Sequence, residues 1–362
     1  MRVAYIINSV EGGGAASPVP AVTRVLRDRG ATVRVFALTR RDGRALPAMA
    51  EAGLDPLVRA GGLHDHVAAM RWLARETQAW GATHLWTSLT RATLLGLILG
   101  PRRGLPVFCW QHAAFLKTGN RVLLRALQSR ANTWIADSTC VATLTRTRLG
   151  VDDSRLITWP IFAADPSAPV ARPWKRGEPL RLGSLGRLHP VKGYGVLIEA
   201  LRLLQQGGFR APVPFTVTLA GEGALRGQLE SAARAAGLTN IDMPGFVEQP
   251  REFLAGLHLY LQPSRSEGFC IAAHEAMVAG LPVLASAVGE MPHSIVAGVT
   301  GLTVPPLDPA ALAGALRHLL SHPESLHAMG AAARAHVLER FSRQRFESAG
   351  EELFRRMALA AA

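Results

Sequence analysis

The stretch Pro263 to Ser286 reads PSRSEGFCIAAHEAMVAGLPVLAS, and its reading decides the architecture. Before it, HLYLQ (His258 to Gln262) has the apolar continuity of a buried strand and stops at Pro263. A polar loop follows, and the small and apolar residues from Gly268 to Ala279 predict a helix that Gly280 ends. PVLAS (Pro282 to Ser286) is the next buried strand. Strand, helix and strand at this spacing form a βαβ unit, whose strands pair in parallel. Its Ser/Glu/Gly loop sits at the carboxyl end of a strand, where open α/β sheets hold ligands, and the first N–H groups of the helix suit a phosphate. Glu267 lies at the helix entrance and Glu275 eight residues on, at a different depth of one pocket. A carboxylate only accepts hydrogen bonds, so it can take both hydroxyls of a vicinal diol such as a nucleotide ribose. Taken singly, either Glu reads more simply as a partner of the helix dipole or as a solvated residue.

E-G-F-x-x-x-x-x-E followed by A-M-x-A-G-x-P-V resembles the family 4 retaining glycosyltransferases of the GT-B fold, the glycosyl transferases group 1. The resemblance implies two Rossmann-like domains facing a central cleft, with a C-terminal helix crossing back to the first. It implies a nucleotide-sugar donor held mainly by the second domain and an acceptor held mainly by the first. Glu275 then takes the ribose and Glu267 the hexose side, while Gly268, Phe269, Cys270 and Ile271 carry the loop past the donor. Cys270 stands where this family has Gly, which narrows the room beside the sugar.

At 362 residues the chain is long enough for two domains, each with its own core. The expected division is 1–165, a linker over 166–179, 180–341, and a returning helix over 342–362. Cys109, Cys140 and Cys270 have neither metal nor redox spacing, which fits a reduced cytosolic protein. No D-x-D sequence is present, so neither metal nor other cofactor is expected. The longest apolar run, Ala92 to Gly100, is about half a membrane span. RVAYII runs straight into glycines and reads as a first strand rather than a signal peptide. The net charge of +13 is uneven: residues 1–170 hold 21 Lys/Arg against 11 Asp/Glu, residues 171–362 hold 19 against 16. An anionic membrane surface, an anionic acceptor and a high-GC codon preference for Arg each account for this. Basic and aromatic residues do not interleave, so nucleic acid is not an expected partner.

In the first half, VAYII, VRVFAL, HLWTS, VFCWQ, TWIAD and LITW are strand candidates separated by helical periodicity, which predicts a doubly wound parallel sheet. Gly12, Gly13 and Gly14 follow the first strand, and Pro18 or Pro20 opens a helix. The glycines allow a close backbone approach to a ligand, or form a tight turn only; G-G-G lacks dinucleotide spacing. By resemblance, Gly13 and Gly14 touch donor phosphate or acceptor. His112 ends VFCWQ at the ligand-binding rim, where a histidine is either structural or part of a site. The family carries a His beside the transferred sugar there. His84 begins a strand and reads as structural. Lys117, Arg121 and Arg125 recur every four residues and gather into a helical stripe, a solvated face or a contact with an anionic membrane.

The second half restarts with LRLGSLGRLHPVKGYG. Arg187 offers a planar fork and Lys192 a mobile charge on a glycine-bounded loop, a pairing suited to a diphosphate. G-R-L-x-x-x-K-G resembles the diphosphate loop of the same family, with Gly186 at its start. Gly221 and Gly223 bound a turn that in the family lines the nucleotide side, and Phe246 and Val247 follow the segment whose loop contacts the base. Two further departures stand in VGEMPHS: Glu290 replaces a usual Gly and His293 a usual Glu. A carboxylate beside a diphosphate is repulsive unless it points away or meets a cation.

The expected function is metal-independent, retaining transfer from a nucleotide-diphosphate sugar to a glycan, lipid-linked or small-molecule acceptor, in bacterial cell-surface polysaccharide or glycolipid synthesis. The setting is cytoplasmic, with peripheral contact at the inner membrane face as an extension. Arg187, Lys192 and the helix amino end would stabilise the departing diphosphate, with His112 and Glu267 on either side of the sugar. A nucleotide-sugar epimerase of the same architecture and a binding subunit with weakened catalysis are the alternatives. The last is motivated by Glu290, His293 and Cys270.

Overall fold

The structure is a computed structural model that describes residues 1–112 and 116–360. The chain divides into two units, Met1–Phe162 with Gln344–Ala362, and Ala163–Arg343. In the first unit, β1 (Arg2–Ser9), β2 (Thr32–Thr39), β3 (Leu57–Val58), β4 (His84–Ser88), β5 (Val107–Gln111), β6 (Thr133–Ala136) and β7 (Leu156–Thr158) form one sheet. Its order is β3-β2-β1-β4-β5-β6-β7, with every pairing parallel. The order reverses direction at β1, so the topological crevice opens between the carboxyl ends of β1 and β4.

Both faces of this sheet are covered, and the strands are correspondingly apolar along their length. On one face Ala4, Ile6, Phe36, Leu38, Leu85, Val107 and Trp134 pack with Leu73, Leu95 and Leu97 of the helices His66–Ala79 and Thr90–Arg103. The other face carries an aromatic column in which Trp86 meets Trp110, Trp110 stacks on Trp159 at 5.2 Å, and Trp159 meets Phe346 at 5.2 Å. Phe346 belongs to the last helix, Arg343–Leu359, which the first unit therefore claims as its own. Gly350 lets that helix lie flat on the column: a Cβ there would press on Val25 and the Trp159 ring. His84 is buried, and its Nε2 faces the Met357 carbonyl of the same helix at 3.0 Å, a structural role.

The second unit holds β8 (Leu180–Leu185), β9 (Phe215–Ala220), β10 (Ile241–Gly245), β11 (Leu259–Gln262), β12 (Val283–Ser286) and β13 (Gly301–Val304). Its order is β10-β9-β8-β11-β12-β13, again parallel throughout, with the reversal between β8 and β11. Residues 166–179 are held inside this unit. Ala171 N–H donates to the Ala279 carbonyl, Trp174 Nε1–H donates to the Glu178 carbonyl, and Arg251 pairs with Asp165 at 2.7 Å. The Pro/Ala composition removes helix and strand without removing packing.

The helix after β11 spans Ile271–Val278, starting three residues later than its composition suggests. Cys270 adopts φ 68°, a left-handed conformation that cannot continue a helix, so the loop extends to it. Gly193 marks where the loops after β8 and β11 meet. At φ 69° a Cβ would enter the Pro263 carbonyl. Gly193→Ala is expected to cost about 2 to 4 kcal/mol through strain and overpacking, read as a lower urea midpoint with unchanged slope. A change under about 0.5 kcal/mol would contradict the close approach.

Candidate functional site

The crevice of the second unit is built by the loops that follow β8 and β11. Lys192 lies on the first, in the 3-10 turn Pro190–Lys192, and Glu267 on the second. Lys192 Nζ donates to Glu267 Oε1 at 2.8 Å. The same oxygen accepts from Ser264 Oγ at 2.6 Å and Gln262 Nε2 at 3.0 Å. Three donors on one oxygen hold the carboxylate while its Oε2 receives none of these bonds. Burial works against the Lys192 ammonium, but the charge and hydrogen bond of Glu267, with Cys270 and Tyr194, together outweigh it and hold Lys192 above its ordinary pKa. Lys192 is thus a fixed cation. Arg187, five residues earlier, is exposed and has no hydrogen bond or ion pair from its guanidinium among the described residues. One cation is anchored and one is available, a combination that fits a bound oxyanion.

Glu275 sits on the fifth residue of the helix Ile271–Val278. It is half-buried, and burial raises its pKa, with Arg251 opposing. Among the described residues no donor reaches its carboxylate. Glu267 is satisfied within the protein and Glu275 is not, so of the two Glu275 is the acceptor left for a diol.

The remaining predicted positions separate into rim and interior. Gly186 N–H bonds the Ala220 carbonyl at 2.9 Å, and Gly221 and Gly223 pass against the carbonyls of Gly186 and Leu188, which brings the turn after β9 onto the loop after β8. Phe246 is 53% exposed and follows β10, with half-buried Val247 beside it. Strand spacing puts them roughly 10 Å along the rim from β8. Gly268 accepts from Glu290 N–H at 2.9 Å through its carbonyl. Phe269 turns inward, its ring 4.0 Å from His274 and 5.0 Å from Phe341, so any contact it makes with a ligand is through backbone. Cys270 is buried, and burial pushes its thiol pKa up. Half-buried Ile271 opens the helix.

Glu290 is 1% exposed and pairs with Arg340 Nη2 at 2.6 Å, while Arg340 Nη1 donates to the His293 carbonyl. The added carboxylate is thereby compensated by a protein cation. The sequence pattern showed the departure without showing Arg340, which lies 50 residues on. His274 was likewise not singled out. It is buried under the helix entrance, faces the Cys270 carbonyl through Nδ1 at 2.9 Å and Ser294 Oγ through Nε2 at 2.8 Å. The carbonyl can only accept, so Nδ1 carries the proton and Ser294 donates to Nε2. Burial, with Arg340 and His336, lowers its pKa to about 3.

In the first unit His112 follows β5 with its side chain 8% exposed. Its Nε2 is 2.7 Å from Ser88 Oγ and its Nδ1 3.3 Å from Asp137 Oδ2, with Trp110 stacked on the ring at 5.3 Å. Asp137 accepts from Nδ1–H, which leaves Nε2 for Ser88. Tyr5, on the neighbouring β1, is buried, and burial raises its hydroxyl pKa. Sequence reading found His112 but neither partner, since Ser88 and Asp137 lie on different strands' ends. Gly13 and Gly14 are exposed in the loop after β1, at the first unit's crevice. Lys117 precedes the helix Thr118–Leu127, while Arg121 and Arg125 lie within it and are exposed beside Val122 and Leu123. No cluster of three or more His, Cys, Asp or Glu suited to a metal occurs among the described residues. Among them, too, no helix is long and apolar enough to cross a membrane.

Two Rossmann-like parallel sheets, each reversing its strand order at a crevice, define a doubly wound α/β protein of two units. Residues 171–336 match the family model described as glycosyl transferases group 1. The chain is similar to the amylovoran biosynthesis glycosyltransferase AmsK of Erwinia amylovora, 36% identical over 175 residues that make up 46% of this chain and 42% of that protein. The glycogen synthase of Mycobacterium tuberculosis is 31% identical over 218 residues, 59% of this chain and 49% of that one. The chain therefore spans under half the length of these curated relatives. Among solved structures, Anabaena Alr3699/HepE in complex with UDP-glucose superposes with TM-score 0.80 at 19% identity, covering 98% of this chain and 99% of its own. Sucrose-phosphate synthase of Thermosynechococcus elongatus gives 0.80 at 18% identity, covering 99% and 100%. These likenesses show the GT-B fold.

The raised Glu275 pKa has a checkable sign. The folded state binds this proton more tightly than the unfolded chain, so stability falls as pH rises from the ordinary carboxylate value through the raised one. Glu275→Gln removes that loss. Its melting temperature should match the wild type near pH 4 and exceed it at pH 8; a constant offset across the range would contradict the burial of an uncompensated charge.

Proposed function

We propose that this protein is a glycosyltransferase that takes a sugar from a nucleoside-diphosphate sugar. The observation that carries the proposal is the division of labour in the second crevice. Lys192 is locked on Glu267, and among the described residues Arg187 is exposed without a protein partner and Glu275 is a half-buried carboxylate without a donor. A diphosphate supplies what Arg187 lacks and a ribose supplies what Glu275 lacks. As the bond to the anomeric carbon breaks, negative charge grows on the departing diphosphate. Arg187, Lys192 and the amino end of the helix Ile271–Val278 form a preorganised positive field for it, which supports transfer without a metal.

In this reading Glu267 faces the hexose side through Oε2, and the Ser88- and Asp137-oriented ring of His112 is the first unit's own candidate for a sugar contact. Retention of anomeric configuration follows from the family resemblance, as does a part in cell-surface polysaccharide or glycolipid synthesis. AmsK is named for amylovoran biosynthesis, which favours that setting. UDP is the first diphosphate to test, because the HepE complexes contain it. The compensation of Glu290 by Arg340 removes one ground for a weakened binding subunit.

Thermal shift against UDP, GDP and ADP in the presence of EDTA tests the reading. One nucleotide at ~100 times its dissociation constant should add ~2.7 kcal/mol of stability. Arg187→Ala should weaken it by about tenfold or more, the worth of a charge-assisted hydrogen bond. Absence of any shift, or a shift that depends on added divalent metal, would contradict it.

A further inference from the structure

The first unit carries an arginine cluster at the carboxyl rim of its sheet that the donor reading leaves unused. Arg59 follows β3 directly, and Arg91 is the second residue of the helix Thr90–Arg103 after β4. Their side chains are 8% and 11% exposed, and both engage Asp65. Arg59 Nη1 and Nη2 reach Asp65 Oδ1 at 3.1 Å and Oδ2 at 2.5 Å, and Arg91 Nη2 reaches Oδ1 at 2.8 Å. Arg91 Nη1 donates to the Gly62 carbonyl at 2.9 Å, and its buried Nε has no partner among the described residues. Two largely buried guanidinium ions share one carboxylate, so among the described residues the group carries one positive charge in excess. The pKa of Asp65 is depressed, with Arg59 as the first cause and Arg91 contributing, as an excess of cation requires.

The neighbouring strand adds charge of the same sign. After β2 the turn RRDGR places Arg40, Arg41 and Arg44, all exposed, on the adjoining part of the rim. Asp42 Oδ1 accepts from both Gly12 N–H and Arg44 N–H at 3.0 Å, which ties this turn to the glycine loop after β1. Arg41 pairs with Glu11 at 3.3 Å. Arg40, Arg41, Arg59 and Arg91 thus lie with Glu11 and Asp65 along the ends of four adjacent strands, a rim of about 15 Å. The helix Thr90–Arg103 also starts there, with Ala92 N–H bonded to Asn8 Oδ1 at 2.8 Å and its amino end aimed the same way.

We infer that the acceptor bears an oxyanion, a phosphate or a carboxylate, and that Arg91 with Arg59 holds it at this rim. The inference deepens the transfer reading and rests on it for the word acceptor, while the anion site itself stands on the first unit alone. A neutral glycan would leave the surplus guanidinium charge uncompensated. An oxyanion would complete the group as the second carboxylate the two arginines lack.

The test is thermal shift and calorimetry on the full chain with glucose 6-phosphate, glucuronate and glucose as probes, with no nucleotide present. The phosphate or the uronate should bind and glucose should not, and which anion binds distinguishes the two sources. Arg91→Gln should weaken the anion by about tenfold or more, while Arg121→Gln should leave it unchanged. Asp65→Asn, which removes the competing carboxylate, should tighten the anion, an effect that mere loss of structure would not produce. Equal binding of glucose and the anions, no binding of either anion, or anion affinity unchanged in both Arg91→Gln and Asp65→Asn would overturn the site. The nucleotide shift, run separately, reports on the donor reading, so the two can fail independently.

Discussion

The second unit depends on one oxygen atom. Glu267 Oε1 accepts from Lys192, Ser264 and Gln262, and so ties the loop after β8 to the loop after β11 where the sheet reverses its order. An ammonium ion at this depth survives only beside a counter-charge, and a carboxylate there only with donors around it. The pair therefore fixes both loops in one arrangement and leaves Arg187 and Glu275 as the groups with unmet electrostatic needs. Glycines make the geometry reachable: at Gly193 any side chain would strike the Pro263 carbonyl.

The first unit solves a similar problem with aromatic packing. Phe346, Trp159 and Trp110 stack from the last helix to the His112 ring, and Ser88 and Asp137 set which imidazole nitrogen carries the proton. Returning the last helix to this sheet is thus part of how His112 is oriented. A ring packed on one face and bonded at both nitrogens loses little conformational entropy when a ligand arrives. The arginine rim lies on the same sheet, which would give the first unit both a positioned histidine and an oxyanion subsite.

Much of this was legible in the sequence, for physical reasons that also mark where legibility ended. HLWTS and VFCWQ coincide with β4 and β5 because buried parallel strands are continuous apolar runs with sharp ends. The two-residue β3 carries no such signal. Arg187, Lys192, Glu267 and Glu275 could be found because one loop motif holds each pair. Ser88, Asp137 and Arg340 could not, because a hydrogen bond between residues distant in sequence has no local pattern. Glu290 shows the limit most clearly. It stood out as a carboxylate where glycine was expected, and only the fold shows Arg340 beside it. At Cys270 the chain departs from glycine yet keeps φ 68°, the conformation that glycine favours.

The central claim is that Glu275 binds the ribose diol of a nucleoside diphosphate. Calorimetric titration with the stabilising nucleotide and its 2′,3′-dideoxy analogue, on wild type and Glu275→Gln, tests it most directly. Loss of the diol should weaken binding to the wild type by about tenfold or more, as expected for hydrogen bonds to a charged group, and should cost little in the variant. Equal losses in both proteins, or none in the wild type, would contradict the account.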